Sequence, residues 1–210
     1  MAEYFASHPY VVAILVALAL LTAFVCVKAA QASAKRHAEN EKIINKLKED
    51  NRLRNKFAVL TRQLIDSSEP TELFKGVALN LDRQISDAED MEQAFAALNQ
   101  EQREIYALCY VAEDGRERLS DFFAANGSPL TDTALEAVKK LLPAAAEPFG
   151  KEFLAFDGND ETTSFVQSDI EQWDLDFAAV IAASPIEQAG GAYCRQCRQI
   201  HLNKSPSAFP

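Results

Sequence analysis

Glycine, proline and cysteine are scarce in this chain: seven, eight and four among 210 residues. That scarcity excludes collagen-like and linker-dominated chains, and it excludes a small scaffold stapled by disulfides. No Lys or Arg precedes Lys28, so the amino-terminal segment lacks the positive n-region of a secretory signal peptide. No Gly-rich phosphate loop, nucleophile elbow or paired catalytic motif is present, and an enzyme is not expected. Sustained alternation of apolar and polar residues is also missing; Ser164 to Gln167 is the one strand-like fragment. What is plentiful is apolar residue, 48% beside 25% charged, which excludes wholesale disorder and supports a packed core. A net charge of −10 excludes a nucleic-acid binder that works through bulk positive charge.

The longest uncharged run is Tyr10 to Val27, YVVAILVALALLTAFVCV. At the α-helical rise it spans roughly 27 Å, enough for a bilayer core. A transmembrane helix is expected over residues 10–27, with residues 1–9 as a short extracytoplasmic amino terminus. Tyr4, Phe5 and Tyr10 fall where an interfacial aromatic belt forms, and Lys28 can snorkel at the other end. Ala32-Ser33-Ala34 resembles a cleavage site. The missing n-region and the length of the apolar run favour an uncleaved anchor. Lys28, Lys35 and Arg36 follow the run, so the positive-inside rule places the bulk of the chain in the cytoplasm. The expectation is a single-pass protein of a bacterial cell membrane, without structural disulfides.

Charge then divides the chain. Lys28 to Arg62 carries ten Lys and Arg against four Asp and Glu, a net of +6. Gln63 to the end carries 11 against 26, a net of −15. Residues 28–66 read as a basic juxtamembrane helical stalk, rich in Ala, Lys, Arg, Glu and Leu and free of Gly and Pro. Leu53, Phe57, Leu60 and Leu64 keep a 4-3-4 spacing. They could be a stripe packing on the following domain, or a short coiled coil that makes a homodimer. Ile43, Ile44 and Leu47 form a second patch out of phase with it. The cations could also lie against anionic lipid headgroups.

Residues 67–183 read as a compact, acidic, multi-helix domain, so the fold class is all-α. Leu73, Phe74, Val77, Leu81 and Ile85 keep helical spacing. Ser86-Asp87-Ala88-Glu89 reads as a capping box before Met91, and Asn99 to Gln102 as another helix start. Asn126-Gly127 is a helix stop with Gly in the left-handed position. Thr131 caps a helix that Pro143 ends, and Ser168 to Glu171 caps the last one. Asp157 to Asp160 is a loop.

One stretch carries a family likeness: Arg103 with Ile105-Tyr106-Ala107-Leu108, Phe122-Phe123 before Asn126-Gly127, Thr133 to Ala137, then Phe149 and Phe153. Over Leu98 to Phe156 the chain resembles the helical domain of the bacterial DNA-mimic-protein family. It departs at Glu113-Asp114-Gly115-Arg116, where members usually carry Asn-Gly-Gly. The resemblance implies an acidic, non-enzymatic helical domain that binds a partner protein. The candidate binding face is Glu101, Glu104, Glu113, Asp114, Glu117 and Asp121, whose charge would steer a basic partner. Direct nucleic-acid binding by this domain is not expected.

Residues 184–210 read as a Gly- and Pro-containing tail. Cys194 and Cys197 form a C-x-x-C pair, with His201 close behind. Zinc needs a fourth ligand for a closed site, and a redox pair normally opens a helix in a βαβ unit. Arg195 and Arg198 would favour thiolates. No cofactor is expected, with zinc or thiol-redox chemistry at this pair as the alternative function. A dimeric membrane scaffold is the other alternative.

Overall fold

The computed structural model describes the backbone of residues 9–156 and 166–197, with side chains at residues 22, 28, 33 and 35–37 and from 39 onward in those ranges. Tyr4, Phe5, the Asp157 to Asp160 loop, Ser164, Arg198 and His201 fall outside it. Among the described residues every regular element is helical, so the all-α expectation holds. The chain divides into two units, Met1–Glu49 and Asp50–Pro210.

Helix α1 runs Pro9–Lys56. Among the described residues no helix is long and apolar enough to cross a membrane. The run from Tyr10 to Val27 is helical in its backbone, but apart from Thr22 its side chains lie outside the described set. In the first unit every described side chain is exposed, Ile43, Ile44 and Leu47 included. Lys35 and Glu39 lie 3.9 Å apart across one turn, an exposed pair worth a few tenths of a kcal/mol at most.

The second unit starts with the last turns of α1. Helix α2 is Arg62–Ser67, α3 Pro70–Ser86, α4 Met91–Ala96 and α5 Gln100–Asp114. Helix α6 is Leu119–Ala125 and α7 Leu130–Leu141. A 3-10 turn at Pro143–Ala145 leads into α8, Ala146–Phe156. Helices α9, Gln167–Ala183, and α10, Ile186–Gln196, complete it.

The expected heptad seam is not one helix. Helix α1 stops at Lys56, and α2 restarts on Thr61, whose hydroxyl accepts from the Leu64 N–H at 3.2 Å. Leu53 and Phe57 are buried, and Leu60 and Leu64 pack on the same core. The seam is therefore occupied within the chain. A Cβ at Gly76 would collide with the Phe57 ring, so Phe57 packs directly against the backbone of α3. Arg52 and Lys56 both grip the Glu72 carboxylate, at 2.7 and 2.5 Å, and Lys75 meets Asp50 at 2.6 Å. Of the cations that end the basic segment, Arg52 and Lys56 are thus partnered by α3, and they hold the Glu72 carboxyl below the usual range.

Pro70 at the first turn of α3 suits an N–H that needs no partner there. Leu73, Phe74, Val77, Ala78, Leu81 and Ile85 then present one buried face. Its most extensive neighbour is α10. A Cβ at Gly190 would collide with the Phe74 ring, and one at Gly191 with the backbone of Pro70. Two glycines inside a helix cost about 1 kcal/mol each against Ala, and here they allow a contact that nothing larger could make. The expected loose tail is, over this stretch, a core helix.

Several local expectations need correction. Asp90, not Ser86, caps α4, accepting from the Gln93 N–H at 2.9 Å, while α3 continues through Ser86. Asn126 is extended and Gly127 is not left-handed; the Asn126 amide closes the end of α6 onto the Phe122 carbonyl. Thr131 lies inside α7, which starts on Pro129, and its place is buried. Helix α9 starts at Gln167 on Val166 without a side-chain cap, and it is not the last helix. The Asn99 start holds: Asn99 and Gln102 form a reciprocal capping box.

Candidate functional site

Helix α5 ends at Asp114 on the buried Gly115, and the chain turns through Arg116, Glu117 and Arg118 into α6. Glu113, Asp114 and Glu117 are exposed. Asp114 accepts from the Asn126 amide at 3.0 Å, and Arg118 is paired with Asp121 at 2.5 Å. Glu113 and Glu117 carry no hydrogen-bond or ion-pair partner among the described residues. Of the six acidic residues proposed from sequence, the structure brings these four acids, 113, 114, 117 and 121, to one turn and the following helix.

Glu104 does not belong with them. It is buried at 2% exposure. Its carboxylate accepts from the Lys140 ammonium at 2.8 Å, the Tyr193 hydroxyl at 2.5 Å and the Gln100 amide at 2.9 Å. Lys140 also donates to the Tyr193 oxygen at 2.7 Å. Burial works against the charge on Glu104, but the hydrogen bonds from Lys140, Tyr193 and Gln100 outweigh it and hold the carboxyl below the usual range. Glu104 ties α5 to α7 and α10 and is unavailable to a partner. Glu101, in the first turn of α5, is half-buried.

The C-x-x-C pair also departs from expectation. Cys194 is buried on α10, and Cys197 is half-buried at its end. Burial first, then the neighbouring Cys197, pushes the Cys194 thiol well above the usual range. Burial raises Cys197 too, against the opposing Tyr193 hydroxyl. Arg195 is not among the groups that move either thiol and donates instead to the Ser68 carbonyl; Arg198 lies outside the described residues. Among the described residues no three His, Cys, Asp or Glu side chains gather to hold a metal ion. His201, the third proposed ligand, lies outside them.

Sequence reasoning missed a second buried carboxylate. Glu152 on α8 is fully buried, and neither oxygen has a hydrogen-bond donor. Burial, then the Asp174 carboxylate on α9, pushes Glu152 up to about 8. Asp174 in turn accepts the Ser120 N–H and hydroxyl, both at 2.8 Å, and so caps the start of α6. Protonated Glu152 is the form that suits a site beside another carboxylate. A signal was present: Glu152 stands three residues after Phe149 and four before Phe156, on a face shared with apolar residues. On the same two helices Phe149 and Phe177 join Phe122 and Phe123 in a ring cluster with neighbouring centroids 5.0–6.0 Å apart.

The arrangement is that of an all-α domain with an uncommitted acidic turn, a satisfied buried cluster at Glu104 and a donor-less buried carboxyl at Glu152. Compared with known family models, curated proteins and solved structures, the chain matches none.

Proposed function

We propose that this chain is a non-enzymatic, membrane-anchored binding protein whose helical domain presents an acidic face to a partner protein with a basic surface. On that partner it competes with nucleic acid, as the resemblance to the DNA-mimic family suggests. The observation that carries the reading is the α5–α6 turn, with Glu113 and Glu117 exposed and unpaired and Asp114 beside them. The net of −15 from Gln63 onward supports it, since such a field steers a basic surface toward the turn. The anchor rests on the apolar run from Tyr10 to Val27 and the cations that follow it.

The test uses the detergent-solubilised full chain as bait in bacterial lysate. Capture is compared at about 0.05 M and about 0.5 M salt, since screening weakens exposed charge pairs most. The expected result is a basic, nucleic-acid-binding protein that is released by high salt or by added duplex DNA, and is lost with Glu113→Lys/Glu117→Lys. Absence of any salt-sensitive, DNA-displaceable protein overturns the reading.

A second reading, self-association, is favoured by the exposed apolar residues Ile43, Ile44 and Leu47 on α1. Sedimentation equilibrium in density-matched detergent tests it, and a monomer at high protein concentration disposes of it.

A further inference from the structure

Beside the acidic turn the second unit contains a cleft of about 300 Å³, at the small end of ligand-sized pockets. Its floor is apolar and buried: Val111 from α5, Phe177 from α9 and Ile186 from α10. One wall is the exposed small residues Ala178 and Ala182, which leave the mouth open. Arg116 and Glu187 also line it. The acidic turn belongs to the same end of α5, because Gly115, which lines the cleft, sits between Asp114 and Arg116.

We propose that this cleft is the docking site for a basic peptide segment of the partner, with one apolar side chain of leucine size seated on Val111, Phe177 and Ile186. Lys or Arg residues flanking that anchor meet Glu113, Asp114, Glu117 and Glu187. Glu187 in the lining and Glu113, Asp114 and Glu117 along the adjoining turn outnumber the guanidiniums of Arg116 and of the Asp121-paired Arg118, which disfavours an acidic peptide and selects a cationic one. Apolar burial supplies the anchor's affinity, and the rim supplies its sign of charge. The inference rests on the partner-binding reading above and names the chemistry that reading leaves open.

The test is fluorescence anisotropy of labelled pentapeptides with the full chain in detergent. The probes are Lys-Lys-Leu-Lys-Lys, Lys-Lys-Ser-Lys-Lys, Glu-Glu-Leu-Glu-Glu and Ser-Ser-Leu-Ser-Ser, all capped at both ends. The Leu-centred lysine peptide is expected to bind at least tenfold more tightly than its Ser counterpart, with no binding of the glutamate peptide. Ala178→Trp, at an exposed wall position, fills the mouth and is expected to erase that tenfold difference; Ala182→Phe serves if the first variant folds poorly. Glu113→Gln/Glu117→Gln is expected to weaken the lysine peptides several-fold. Asp169→Asn/Glu171→Gln, an equal loss of charge at exposed positions on α9, is expected to leave them unchanged.

Equal affinity for the Leu and Ser lysine peptides overturns the cleft, and so does a Leu advantage that survives both blocking variants. Either result leaves salt-sensitive binding of lysine peptides intact, so the acidic-face reading stands apart from it. Equal binding of the uncharged Leu peptide overturns the proposal in favour of a site for any small apolar group.

Discussion

Two buried glutamates in the same unit sit in opposite electrical surroundings. Glu104 between α5, α7 and α10 has an ammonium, a phenol and an amide on its carboxylate, and it is held ionised. Glu152 between α8 and α9 has another carboxylate beside it and no donor, and it is held protonated to about 8. Burial acts on both in the same direction. What differs is the partner that the fold brings to each, so depth alone does not decide the charge of a buried acid. Glu104 tethers three helices through charge, whereas Glu152 suits its buried, donor-less place only while it keeps its proton.

Raising the pH should break this comparison most strongly. Glu152 is raised above its unfolded value of 4.5, so its contribution is complete below that value and is lost as pH rises through about 8. Urea midpoints should therefore fall across that window, with a slope of up to about 1.4 kcal/mol per pH unit from this one group. Glu152→Gln keeps the shape, supplies an amide donor to Asp174, and should flatten the slope. An unchanged slope would show that Glu152 is already ionised in the folded chain.

Removing the counter-ion of Glu104 comes next. Lys140→Met strands a buried carboxylate with only Tyr193 and Gln100, and should cost about 2 kcal/mol in urea unfolding at pH 7; half of the Lys140 side chain is exposed, which keeps the loss below that of a fully buried pair. Glu104 has the opposite sign of pH dependence. Its carboxyl is lowered, so its contribution is present above the unfolded value of 4.5 and disappears as pH falls through its folded value.

Tyr193→Phe is smaller. It removes one donor from Glu104 and should cost about 1 kcal/mol in the same assay. The smallest effect belongs to the exposed turn: Glu113→Gln should move stability by less than about 0.5 kcal/mol, while weakening peptide binding several-fold. A large stability loss there would mean that Glu113 is a structural residue.

Much of the fold was legible in residue spacing. Leu73, Phe74, Val77 and Leu81 lie on one helical face in the sequence and line the core of α3 in the structure. The Asn99 start was readable because a capping box is a local exchange of hydrogen bonds within four residues. Helix α10 was not legible. Gly190 and Gly191 weaken a helix locally, and only the approach of Phe74 and Pro70 makes them fit. The heptad spacing of Leu53 to Leu64 read either as a stripe packing on the following domain or as a coiled coil; these residues pack on the core with α3 and its neighbours, and the helix breaks to deliver Phe57. Within the site, the acidic turn could be seen as a run of Glu and Asp. Which members are available could not, since Glu104 differs from Glu113 only in what lies across from it.

The sequence by itself determined the helical class, the segregation of positive from negative charge, and the apolar run near the start, because these depend on composition and on periodicity along one strand of chain. Tertiary structure alone decided which carboxylates are spent and which are free, where the helix ends that carry Phe57 and Cys194 are buried, and that a cleft opens beside the acidic turn. Those outcomes depend on residues such as Glu104 and Tyr193, or Val111 and Ile186, that are far apart in the chain. Burial and electrostatic pairing act through distances in space that no local pattern encodes.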